Sequence, residues 1–152
     1  MTLGSLLART PLLQRTACAL LPIVLFAGTT HAAEPIAFDQ TMYEQLINTS
    51  GASNGAAEVC GAAAPDVAAQ HDNMRINLLR FGREYGFSGE RFDALYEAGR
   101  VHGREALEDM RRRDVNGCMG VLQSLQIDRT MQYDDMKRGI AEVTGGLPDP
   151  AK

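Results

Sequence analysis

Two histidines, two cysteines and several methionines carry most of the chemical range in the chain beyond residue 32. His71 belongs to a stripe of Val67, His71, Met74, Leu78, Phe81 and Tyr85, whose alternating steps of four and three define one helix face. His102 stands at the edge of a second stripe, which includes Phe92, Leu95, Tyr96, Gly99, Gly103 and Leu107. If these stripes lie on consecutive antiparallel helices that turn near residue 87, the register sets His71 opposite His102, Leu78 opposite Leu95 and Phe81 opposite Phe92. Two neutral imidazoles facing each other across a bundle can hold haem or a transition metal, with Met74 as a soft donor nearby. The ordinary alternative is a pair of partly buried histidines hydrogen-bonded to backbone or carboxylate. No CxxCH, HExxH or acidic cluster accompanies them. The sequence therefore predicts no cofactor, and haem or a metal at His71, His102 and Met74 is the alternative. Methionine could also serve Cu(I), but Met74, Met110 and Met136 fall on core stripes where it is common filler.

The pair His71-Asp72 is similar to the His-Asp pair of secreted phospholipases A2, in which the histidine activates water and the carboxylate holds calcium. The resemblance covers two residues. The cysteine expected three positions earlier is Ala68 here, and no glycine-rich calcium loop lies upstream. A hydrolase built on His71-Asp72 is the remote alternative it implies. No GxSxG motif offers a serine nucleophile.

The compartment follows from the first 32 residues. Arg9 and Arg15 precede a twelve-residue apolar run, Ala17 to Gly28, and Thr30-His31-Ala32 follows as a small-residue cleavage signal. That order reads as a secretory signal peptide, and the run is shorter than the roughly 20 apolar residues of a membrane span. Cleavage after Ala32 predicts a periplasmic or secreted chain of about 120 residues with no stable membrane span, enough for one domain. Arg9 and Arg15 leave with the signal, so the formal charge moves from −4 to −6, which argues against a general nucleic-acid or anionic-lipid binder. Cys18 leaves too. The remaining even pair, Cys60 and Cys118, has no CxxC partner and reads as a structural disulfide in an oxidising compartment.

The elements that must position these groups read as helices. Residues 33–38 form a short tail, 39–146 a helical domain and 147–152 a flexible C-terminal tail. Asp39 is a good N-cap for a first helix from about Gln40 to Asn48, with Phe38 and Tyr43 at staple spacing. The run Asn48-Thr-Ser-Gly-Ala-Ser-Asn-Gly55 has loop composition, and a short helix from about Ala56 would end near Cys60 and Gly61. Pro65 opens a helix to Tyr85, which Gly86 stops, and Ser88 caps the next. Arg111-Arg112-Arg113 closes that helix with cations that suit a C-terminus rather than an anion site. Glu97 with Arg100 and Arg104 with Glu108 have the spacing of intrahelical ion pairs. A last helix begins near Cys118 and keeps phase through Leu122, Leu125, Tyr133, Met136, Ile140 and Val143, with Arg129 intruding, until Gly145-Gly146. No segment alternates as a strand would. The fold class is all-α, an antiparallel bundle of about four to five helices with one disulfide.

No assembled catalytic group emerges from these motifs. A non-enzymatic exported protein that binds an envelope or secreted partner, as an inhibitor, immunity protein or chaperone does, fits the pattern. Ile76 and Leu79, away from the centre of the Val67–Tyr85 stripe, form the candidate interaction patch unless a further helix covers them.

Overall fold

The structure, a computed structural model, describes residues 38–152. The expected signal peptide and its cleavage site, and most of the expected short tail, lie outside the described residues. Five helices and no strand are present among the described residues: α1 (Gln40–Val59), α2 (Ala64–Tyr85), α3 (Phe92–Arg112), α4 (Cys118–Asp128) and α5 (Tyr133–Thr144). None is long and apolar enough to cross a membrane.

Local chemistry sets most of the helix ends. The Asp39 carboxylate accepts the Met42 amide, and Pro65 sits in the first turn of α2. Gly61, Gly86 and Gly145 take the left-handed conformation just after α1, α2 and α5, where a side chain would be strained. Ser88 does not cap α3. Its hydroxyl accepts the Glu90 amide, and Arg91 occupies the cap position.

The largest departure from the sequence reading is α1, which runs unbroken through the loop-like stretch from Asn48 to Gly55. Its weak helix formers are a contact surface, not a turn. A methyl group at Gly51 would lie 2.1 Å from the Tyr96 carbonyl oxygen, and one at Gly55 2.1 Å from that of Arg100. From the other side, Gly99 approaches the Asn48 carbonyl and Gly103 that of Ala52, each to 2.0 Å from such a methyl. The two backbones therefore touch along four glycines. This contact supplies the stability that the low propensity of the segment lacks.

Because α3 spends its glycine face on α1, it does not pack closely along α2. The two remain antiparallel, but the expected register is wrong by about six residues: His71 meets Tyr96 at 4.7 Å between rings, not His102. Arg75 reaches Phe92 at 5.7 Å and Asp93 at 3.2 Å. In the connection after Gly86, the Phe87 amide donates to the Gly82 carbonyl at 2.8 Å before α3 begins. Phe81 packs edge-on to Phe38, tilted on Tyr85 and stacked with Tyr43 and Phe87, instead of on Phe92. Leu78 is buried, and its carbonyl accepts the Tyr43 hydroxyl at 2.9 Å. Gly82 leaves the space that this hydroxyl fills.

The expected single last helix is two. It breaks at residues 129–132, where Arg129 turns to pair with Asp66 of α2. The Asn73 and Asn77 amides of α2 hold the freed carbonyls of Asp128 and Met131 at 2.7–3.0 Å. α5 then docks on α2 through Tyr133, Met136 and Ile140, and Glu84 receives both Lys137 and the Tyr133 hydroxyl. At the C-terminus, the Ala151 amide donates to the Glu84 carbonyl at 2.9 Å. The Cys60–Cys118 disulfide ties the end of α1 to the start of α4, across 58 residues of chain.

Candidate functional site

The register shift opens a groove of about 680 Å³ between α2 and α3, floored by α1. Each wall is one helix face over two turns. Ala64, Val67, Ala68 and His71 line it from α2, and Asp93, Tyr96, Glu97 and Arg100 from α3. Asn54 and Glu58 form the floor, and Ala62 lies at the α1–α2 connection. The walls stay apart because α1 holds α3 at backbone contact while a polar plug fills the space beneath.

That plug is Asn54, Gln70 and Tyr96, each 2% exposed or less. The Gln70 amide oxygen accepts the Asn54 amide and the Tyr96 hydroxyl, both at 2.6 Å. Asn54 also donates to the Val67 carbonyl at 2.8 Å, and Gln70 to that of Ser50 at 3.4 Å. Buried polar groups that satisfy one another fix a single arrangement, because breaking any bond strands a desolvated partner. Burial raises the Tyr96 hydroxyl well above its ordinary pKa, so it acts as a fixed donor. Asp128, at the end of α4, is also raised by burial, against a hydrogen bond from Gln70 that lowers it.

A charged network lies alongside. Glu58 receives Arg100 and, at 3.0 Å, Arg104, while Glu97 receives Arg100 at 2.7 Å and Arg104 at 3.6 Å. Burial pushes the Glu58 carboxyl up, but hydrogen bonds and charge from the two guanidiniums outweigh it and hold the group below its ordinary value. Glu58 is thus a committed anion. Arg104 pairs across to α1 rather than with Glu108, as its spacing alone suggested.

The residues singled out by sequence are distributed unevenly over this geometry. His71 lies at the groove, edge-on to Tyr96, with its Nδ1 3.1 Å from Asp72 of its own helix. His102 is exposed six residues further along α3, about 9 Å of helix rise. Met74 is buried in the apolar core. These three are not brought to one place, and among the described residues no three His, Cys, Asp or Glu side chains form a metal-holding group. Ile76 is 66% exposed, but Leu79 is partly buried against the core beside Gly89, so the two do not make one patch. Arg112 and Arg113 pair with Asp109, and Arg111 donates to the Val59 carbonyl, in keeping with cations that close a helix. Asn54, Glu58 and Gln70 escaped the sequence reading as site residues. Gln70 did carry a signal, since it lies three residues after Val67 and four before Met74, a polar residue in the middle of an apolar stripe.

No protein-family model matches this chain, and searches of curated proteins and of solved structures find no match.

Proposed function

We propose that this chain is an exported, non-enzymatic binding protein that engages a protein partner in the envelope or outside the cell through the α1–α2–α3 groove. One observation carries the reading. The groove is a concavity between rigid helix faces whose polar groups are already committed to one another. Glu58 is neutralised by two arginines, and the Tyr96 hydroxyl is spent on Gln70, so these groups shape a surface rather than offer a base or nucleophile. Sites built on helices supported by a buried second layer are rigid, which favours recognition of a preset shape. The signal-like N-terminus and the disulfide support an exported setting.

Ala68 is exposed on the groove wall, so Ala68→Trp would fill the groove without disturbing the core. Affinity capture from envelope extract should recover a partner with the wild-type chain and lose it with Ala68→Trp at unchanged melting temperature. Capture unaffected by the tryptophan would overturn the groove as the interface. A Soret band in protein purified from the periplasm would instead favour the haem carrier.

A further inference from the structure

We infer that the Cys60–Cys118 disulfide is a thiol-exchange site, through which a dithiol reductant opens the bridge at Cys60 and releases α4 from the bundle. Both cysteines are partly exposed, and both line an open cavity of about 360 Å³ between the end of α1 and the connection from α3 to α4. An incoming thiolate therefore has a path to the sulfurs of the folded chain. The two sulfurs are not equivalent. Cys60 caps the C-terminal end of the 20-residue α1, where the helix dipole disfavours an anion, whereas Cys118 is the first residue of the 11-residue α4, where the dipole favours one. The better leaving thiolate is that of Cys118, so attack falls on Cys60. In the first step the reductant's thiolate bonds to Cys60 Sγ as the Sγ–Sγ bond breaks, and Cys118 leaves with the electron pair and takes a proton from solvent. In the second, the reductant's other thiolate attacks the reductant sulfur of the mixed disulfide and frees Cys60. The bridge gains two electrons, and the reductant departs as a disulfide.

α4 is the element that this bond holds. It buries only Leu125, against four or more residues in every other helix. Among the described residues, the apolar core draws on α1, α2, α3 and α5 and takes no side chain from α4. At the far end of the helix, Asn73 holds the Asp128 carbonyl at 2.7 Å. Opening the bridge thus frees the start of α4 and uncovers Leu125, while the core that organises the other helices persists. A segment with few buried apolar contacts is the part of a fold that opens locally.

Dithiothreitol, added to the oxidised protein at neutral pH without denaturant, tests this when thiols are counted by mass after alkylation and hydrogen exchange follows each helix. The bridge should open, with α4 losing protection and α1, α2 and α3 keeping theirs. Opening only as all helices lose protection together, or no opening short of denaturant, would overturn the inference. A brief pulse of β-mercaptoethanol, quenched with iodoacetamide, should leave the mercaptoethanol adduct on Cys60 and the carbamidomethyl group on Cys118. The reverse pattern, or an even mixture, would overturn it as well. The charged residues of the cavity, Arg111 and Asp114, act on an attacking and a leaving group that are both anions. Arg111→Gln should slow reduction about three-fold and Asp114→Asn should speed it by a similar factor, the effect of exposed charges nearby. Asparagine tolerates the left-handed backbone of Asp114, whose φ is 63°. Rates indifferent to both substitutions would show that attack does not pass through this cavity and would sink the proposal.

Discussion

Alanine at Gly99 should separate the contribution of the α1–α3 contact from every other feature of the bundle. On helix propensity alone, glycine to alanine within a helix stabilises by about 0.5–1 kcal/mol. At position 99 the new methyl would lie 2.0 Å from the Asn48 carbonyl oxygen, and no rotamer can relieve it because the opposing atom is backbone. Restoring an ordinary 3.4 Å contact needs the helices to part by about 1.4 Å. Gly51, Gly55 and Gly103 share the seam, so this movement would loosen all four close approaches together. Overpacking of this sort costs about 1–3 kcal/mol and sometimes more, and the propensity gain offsets only part of it. A net loss of about 2 kcal/mol is expected. Gly139 supplies the control, since it lies within α5 with nothing within 4 Å of its missing methyl. Gly139→Ala should stabilise by up to about 1 kcal/mol. Urea unfolding followed by circular dichroism, with the disulfide intact, reads both from the midpoint at constant slope. The reasoning is refuted if Gly99→Ala is neutral, or stabilises as Gly139→Ala does.

The remaining tests concern charge, the disulfide and the proposed surfaces. The hydrogen bond from Lys137, and next that from Tyr133, hold Glu84 at about 2 against its ordinary 4.5. Its folded-state pKa is depressed, so its contribution is complete above about 4.5 and is lost as pH falls toward about 2. Melting temperature against pH should therefore show Glu84→Gln less stable than wild type at neutral pH, and the gap should close across that acid window. Cys60→Ser and Cys118→Ser should destabilise equally, by about 4 kcal/mol on the loop-entropy model, because either opens the same 58-residue loop. Unequal losses in urea would point to packing of the individual cysteines. Ile76→Asp should leave stability within about 0.5 kcal/mol, as exposed substitutions do, whereas Leu79→Asp buries a carboxylate at the edge of the core and should destabilise markedly. Thermal melts of the two variants distinguish these environments.

Asp39, Pro65, Gly86 and Gly145 were legible as helix ends because capping, a preset φ and a left-handed backbone act within a few residues. Cys60 and Cys118 could be paired by elimination once Cys18 was assigned to the leader. The apolar stripes marked buried faces for the same local reason, that a period near 3.6 residues gathers side chains on one side of a helix. What a stripe packs against is a different question. Glycine has no side chain to announce a contact, so Gly51 and Gly55 looked like a loop until the α3 backbone lay against them. The six-residue slide of α3 along α2 accompanies its glycine contact with α1, and it sets His71 against Tyr96 and leaves His102 exposed. Most helix ends and buried faces were written in short-range patterns. Partner choice, register and the groove they create depended on non-local packing, which only the folded arrangement determines.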